Sequence, residues 1–220
     1  MSLLHFYRSP GMSDSARLAL LNRARERMSP DITDVRSEFC FNVETNAPLG
    51  VAEMEILTWL LSETFEPQGF GERSFLLDDL AEEALRAGTN GRTLLEVGPR
   101  MSFTTAWSTN AVSVCHACGL SGVRRIERSR RYLLKGCSHL DEKQQTAFLA
   151  AVHDRMTECR YADSLTTFET GTRPEPTLEI PVVEQGRAAL ERVNREMGLA
   201  FDDWDLDYYT ALFVDKIGRN

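Results

Sequence analysis

Four short groupings hold the residue types that chemistry uses. Cys115-His116-Ala117-Cys118 has the spacing of a metal or redox pair. A structural zinc needs four ligands, usually with a second close pair, and Cys40, Cys137 and Cys159 do not make one. A thioredoxin-type pair opens a helix, whereas here helix precedes it. Two small apolar thiols one turn apart, facing the core, is the favoured reading. Asp202-Asp203-Trp204-Asp205-Leu206-Asp207 looks like a calcium loop until the register is checked. With Asp203 first, the sixth position is Tyr208 rather than Gly and the twelfth is Val214 rather than Glu. Carboxylates in the first turn of a helix, stabilised by its dipole, explain the run better. Arg124, Arg125, Arg128, Arg130 and Arg131 put five guanidiniums in one expected strand. They can hold a phosphate or pair with Glu and Asp of adjacent strands. The ladder reading is favoured, because a strand packs against its neighbours first. His153-Asp154 suggests a proton relay, but adjacent helical residues point about 100° apart, so a surface or interface role is expected. Phosphate-loop, dinucleotide, nucleophile-elbow and H-E-x-x-H motifs do not occur. The residues alone give no catalytic constellation.

These groupings must be positioned by elements that the hydrophobic periodicity predicts. Leu3 to Tyr7 reads as a strand ended by the turn Arg8-Ser9-Pro10-Gly11. Ser13 and Asp14 offer N-cap oxygens for a helix to Met28, with Leu18, Leu21, Ala24 and Met28 on one face. From Val35 to Val43 the sequence alternates, Val35, Ser37, Phe39, Phe41 and Val43 against Arg36, Glu38, Cys40 and Asn42, as a half-buried strand would. Val51 to Leu61 carries Met54, Leu57 and Leu61 at helical spacing, with Trp59 beside them.

The order then repeats. Thr93 to Val97 reads as a strand stopped by Gly98-Pro99, and Ser108 to Cys118 as a helix ended by Gly119. Val123 to Leu134 follows as a strand, and Glu142 to Met156 as a helix with Phe148, Leu149, Val152 and Met156 on its apolar face. Shifting positions 3, 32 and 51 by 91 lands at 94, 123 and 142, so strand, strand and helix recur at one offset. The expected fold is α+β: two copies of a β-α-β-α unit forming one antiparallel or mixed sheet covered by helices, over residues 1–160. Phe65 to Gly91 reads as an irregular, partly helical insert between the copies. After Arg160, Pro174, Pro176 and Pro181 with Thr166, Thr167, Thr170 and Gly171 describe an extended stretch. Two helices then close the chain, one with Val183, Leu190, Val193 and Met197 on a face ended by Gly198. The other begins near Asp203 or Asp205 and buries Tyr209, Leu212 and Phe213. Residues 161–220 thus read as an extended and then mostly helical linker, too small for a core of its own.

Composition bounds the function. The 220 residues are 42% hydrophobic and 26% charged, an ordinary globular balance that excludes disordered and low-complexity classes. The formal charge of −8 disfavours a generic nucleic-acid or anionic-membrane binder. No window reaches the roughly 20 apolar residues that cross a bilayer, and Met1 to Pro10 is not a signal peptide. Five cysteines, odd in number and sparse, read as reduced thiols in the cytoplasm.

Several stretches taken jointly carry a resemblance. They are Leu94 to Arg100, Ser102 to Ala111, Cys115 to Leu120, Arg125-Ile126-Glu127-Arg128 with Arg131-Tyr132, His153 to Glu158, and Trp204 to Thr210. Their order and spacing resemble the N-terminal part of the large single-chain phosphoribosylformylglycinamidine synthases, and Leu4-His5-Phe6-Tyr7 looks like the animal form. The resemblance implies an enzyme of purine biosynthesis that converts formylglycinamide ribonucleotide to its amidine, using ATP and ammonia released from glutamine. It also implies a domain similar to a paired small subunit of the bacterial enzyme, a linker, and synthetase and glutaminase domains as partners. Because the chain ends at Ile217-Gly218-Arg219-Asn220, the family's nucleotide, magnesium and glutaminase residues are not carried here. The expectation is a non-catalytic fragment or short isoform with no catalytic residue, metal or cofactor of its own. ATP and Mg belong to the full-length family. Arg100, Thr105, Ser108 and Asn110 form a polar loop running into a helix N-terminus, where anions are readily held, and are the expected substrate or interface residues. The alternatives are a stand-alone βαβ-type regulatory module that binds a small ligand, and a scaffold fragment that competes for full-length partners.

Overall fold

The computed structural model describes residues 2–62, 66–77, 91–136, 140–171 and 175–219. Cys137, Pro174 and most of the insert expected over Phe65 to Gly91 lie outside the described residues. Two compact units divide the chain, Met1–Thr170 and Gly171–Asn220.

In the first unit, β1 (Ser2–Arg8), α1 (Asp14–Arg27), β2 (Asp34–Thr45) and α2 (Val51–Leu61) are followed by a short β3 (Phe70–Gly71). Then come β4 (Arg92–Pro99), α3 (Ala106–Ala117), β5 (Val123–Lys135), α4 (Glu142–Val152) and β6 (Glu158–Tyr161). The six strands form one antiparallel sheet in the order β3-β1-β2-β5-β4-β6, the α+β architecture that the sequence implies. The duplication is visible in the elements: a shift of 91 carries residues 51–61 of α2 onto residues 142–152 of α4. Along the central β2–β5 ladder that shift also relates the partners Phe39 and Arg130, so the two copies meet there.

Local signals start the helices where expected. Ser13 accepts from the Ala16 amide at 3.3 Å to cap α1, and Asp141 and Gln144 cap α4 reciprocally. Gly119, at φ +88°, follows α3 in the left-handed region that a side chain would disfavour. The helices then pair across the repeat. Leu20, Leu21 and Ala24 of α1 share a cluster with Phe148 and Leu149 of α4, and Leu57 of α2 shares one with Cys115 of α3. Both clusters rest on the same sheet face, on Val35, Leu95 and Tyr132 in one and Phe6, Phe41 and Ile126 in the other.

Several expectations need correcting. Leu18 is not on the buried face of α1; it is 51% exposed, and Leu20 takes the inward place. α3 begins at Ala106 rather than Ser108, because Thr105 supplies the cap. β4 is not stopped at Val97: it runs to Pro99, with Gly98 opposite Cys159 and Pro99 opposite Glu158. Pro99 is tolerated because the β4–β5 ladder ends at Val97, so no amide is needed on that side. α4 ends at Val152, capped by His153, and leaves Met156 84% exposed. The stretch after it, for which no element was expected, supplies β6. Most consequentially, β2 is buried on both faces rather than one, since Glu38, Cys40 and Asn42 are as inaccessible as Val35 and Val43.

The second unit holds α5 (Val182–Gln185), α6 (Arg187–Met197) and α7 (Asp203–Ala211), with one π-helical stretch at Leu212–Ile217. Its cluster is Val182, Leu190 and Leu206, with Tyr209 and Phe213 packed against it. Val183 was expected on that face, but Gly186 breaks the helix and Val182 turns in instead.

Candidate functional site

The four expected loop residues have different environments. Thr105 caps α3: its hydroxyl accepts from the Ser108 amide at 3.1 Å and donates to Glu127 Oε2 at 2.7 Å, while its amide donates to Glu127 Oε1 at 3.0 Å. Ser108 is fully buried, its hydroxyl accepting from the Ile126 amide at 3.3 Å. These two residues therefore join the start of α3 to the edge of β5. The buried Glu127 carboxylate holds the place at the helix N-terminus that an anion would favour. Glu127 is in turn paired with Arg125 at 3.1 Å. Arg125 donates to the carbonyls of Met101, at 3.2 Å, and Phe103, and lies over the Phe168 ring at 4.4 Å. Arg100 and Asn110 are exposed. Arg100 donates to the Arg155 carbonyl at 2.8 Å, which ties the loop to the segment before β6.

Behind this loop, the sheet face turned away from the helices carries a buried polar network that the sequence reading took for a solvent face. Glu38, Arg131 and Glu96 are successive neighbours across β2, β5 and β4. Arg131 Nη1 donates to Glu38 Oε1 at 2.6 Å, and its Nε lies 3.3 Å from Glu96 Oε2. Glu38 also accepts from the Ser74 hydroxyl at 2.6 Å and the Leu76 amide at 3.1 Å. Glu96 accepts from Ser129, which accepts from Asn42 at 3.2 Å, and Asn42 Oδ1 lies 3.0 Å from His5 Nδ1. Burial raises both the Glu38 and Glu96 carboxyls above their ordinary value, against the opposing pull of Ser74 or Ser129 and of Arg131. Burial likewise pushes the Cys40 thiol and the Tyr7 phenol up to about 12. The bonds run across β1, β2, β5 and β4, so the network braces the sheet. The alternation of opposite charges with Ser, Cys and Asn, in place of lysine, was the signal in the sequence for a buried polar face.

Of the thiol pair, Cys115 faces the core and Cys118 is exposed, which corrects the expectation that both turn inward. A helix of 3.6 residues per turn carries the later residue round to solvent just as α3 ends. His116 bonds the Val123 carbonyl at 2.8 Å. His153 contacts the Leu149 carbonyl and Asp154 accepts from the Met156 amide, so the two form no relay. Asp202 caps α7, and Asp203 and Asp207 pair with Arg187. Three of the five clustered arginines form ion pairs: Arg125 with Glu127, Arg130 with Glu158, and Arg131 with Glu38 and Glu96. Arg128 lies instead over the ring of Phe39. Among the described residues no three His, Cys, Asp or Glu side chains converge as a metal set, and no helix is long and apolar enough to cross a membrane.

Comparison with known proteins places these residues in context. The family model described as formylglycinamide ribonucleotide amidotransferase N-terminal matches residues 38–168. Over 223 residues and all of this chain, the phosphoribosylformylglycinamidine synthase of Dictyostelium discoideum is 48% identical. A probable chloroplastic/mitochondrial phosphoribosylformylglycinamidine synthase of Arabidopsis thaliana is 49% identical over 218 residues, 99% of this chain. The Homo sapiens phosphoribosylformylglycinamidine synthase is 39% identical over 221 residues, also 99% of this chain. The matched region is 16%, 15% and 16% of the length of these three proteins. A stand-alone regulatory module is not favoured by such relatives.

Proposed function

This chain belongs to the formylglycinamide ribonucleotide amidotransferase N-terminal family, and from that premise we propose that it is the organising N-terminal region of a phosphoribosylformylglycinamidine synthase. In this reading the whole enzyme makes formylglycinamidine ribonucleotide from the formylglycinamide ribonucleotide, with ATP and glutamine. The 220 residues hold the synthetase and glutaminase parts in register and are inactive alone. The observation that carries the reading is the pairing of near-complete coverage of this chain with only 15–16% coverage of its relatives. In this reading ATP and magnesium belong to the rest of the enzyme. The cytoplasm is the proposed compartment, in keeping with the free thiols of Cys40, Cys115, Cys118 and Cys159.

The loop from Pro99 to Asn110 is the proposed contact with the synthetase region. Thr105 and Ser108 fix its shape from inside, and Arg100 and Asn110 are its exposed polar groups. The test of the overall role compares ammonia sources. A full-length enzyme lacking this region loses glutamine-dependent turnover by at least about tenfold while ammonium-dependent turnover falls less, and this chain added separately restores part of the loss. Equal loss with both sources overturns the organising role, and turnover by this chain alone with ATP, ammonium and the ribonucleotide overturns its inactivity.

A further inference from the structure

On the helix-covered face of the sheet, the two copies meet at Phe39 and Arg130. α1 packs with α4 and α2 with α3, and a groove of about 640 Å³ is left on the α1–α4 side. Its walls include Leu20 and Val152, its floor includes Phe39, and Arg23, Arg128 and Arg130 reach it from α1 and β5. The volume is that of a small-molecule site rather than of a packing defect.

The charges in this groove do not balance. Glu158 neutralises Arg130 with two contacts of 2.7 Å. Among the described residues neither Arg23 nor Arg128 pairs with a carboxylate. Arg128 is instead placed by aromatic rings, 4.4 Å from the Phe39 centroid and 5.5 Å from that of Trp107. It stands two residues from Arg130 on the same strand face, about 6.5 Å along the chain. Partial burial first, and the neighbouring Arg130 second, pull its pKa below the ordinary guanidinium value. Among the described residues, an acidic protein of net charge −8 thus keeps two guanidiniums without a carboxylate at one groove, one of them placed over rings. A guanidinium ordered in this way makes forked hydrogen bonds to an oxyanion with little further loss of freedom.

We propose that this groove binds a small organic phosphate, with the phosphate held by Arg128 and Arg23 and an apolar body lying on Phe39 and Leu20. A dianion suits the site better than a single carboxylate, because α1 and β5 each contribute a guanidinium to its lining and Arg130 stands beside them. The inference does not depend on the function proposed above.

The test is isothermal titration of this chain with phenyl phosphate, inorganic phosphate and benzoate at low salt. Phenyl phosphate should saturate and bind at least about tenfold more tightly than either of the others, since each lacks one half of the ligand. Arg128→Gln should weaken it about tenfold or more and Arg23→Gln at least about threefold, while Lys143→Gln, near the far end of α4, leaves it unchanged. Arg128 stacks on ring faces without a carboxylate partner among the described residues, so its variant should lower the thermal midpoint of the unliganded chain by no more than about 4 °C. No saturable binding up to about 10 mM overturns the site. Binding that survives both arginine variants places the ligand elsewhere and also overturns it. Equal affinity for inorganic phosphate or benzoate overturns the organic-phosphate assignment. Binding of a hexaglutamate peptide with none of phenyl phosphate would reassign the groove to an acidic chain segment and overturn the proposal.

Discussion

Arg131 lies between two buried carboxylates, Glu38 and Glu96, and its loss leaves both without their cation. Arg131→Met should therefore destabilise the first unit by about 3–5 kcal/mol, read from urea unfolding. Glu96→Gln keeps an oxygen for Arg131 and an amide for Ser129, and should cost less than about 1 kcal/mol. The pH dependence separates the same groups. Both carboxyls have folded-state values raised above 4.5 by burial. The native state then binds protons more tightly than the unfolded chain, so their contribution is complete below pH 4.5 and is lost as pH rises through the raised values. The fall in thermal midpoint above that pH should be shallower in Glu96→Gln than in the native chain. An identical slope would show that Glu96 does not titrate in this way. On the exposed loop, Arg100→Glu in the full-length enzyme should raise KM for the ribonucleotide or lower kcat. If both stay unchanged, the loop has no part in the site.

At the scale of elements, two joints hold the α3 and β6 edges. A Thr105→Ala chain loses the cap of α3 and leaves the buried Glu127 short of a donor, together about 2–3 kcal/mol. Asn110→Ala on the exposed side of the same helix should stay within about 0.5 kcal/mol, which makes it the matched control. At the other joint, Tyr161 lies flat enough on β4 that a Cβ at Gly98 would come within 2.7 Å of its ring, and its hydroxyl donates to the Pro99 carbonyl at 2.7 Å. Gly98→Ala should cost about 1–3 kcal/mol by overpacking, and Tyr161→Phe about 1 kcal/mol through the lost bond. Denaturant midpoints at constant slope would check both.

For the molecule as a whole, the two compact units differ in how much core each owns. Residues 1–170 enclose two hydrophobic clusters and a six-stranded sheet, whereas residues 171–220 gather around Val182, Leu190 and Leu206. A chain ending at Thr170 should unfold cooperatively on its own. A peptide of residues 171–220 should show partial helicity by circular dichroism without a sharp transition, because fifty residues bury too little apolar surface to hold themselves.

How much of this the sequence determined follows from the range of the forces. A cap such as Ser13, the terminating Gly119 and Gly198, and the repeat at 91 residues are local or periodic. They could be read because each depends on neighbours within a turn or on alternation along a strand. The thirteen-residue strand that carries five arginines was legible in the same way. What neighbours each arginine met was not. Whether Glu38 faces water depends on residues 74–76 lying over it, and whether Arg128 finds a carboxylate depends on where α1 and β6 pass. Burial and charge pairing are set by segments distant in the chain, so only the tertiary structure decided that one sheet face is a closed polar network. The groove on the other face, with two guanidiniums that meet no carboxylate among the described residues, was decided in the same way.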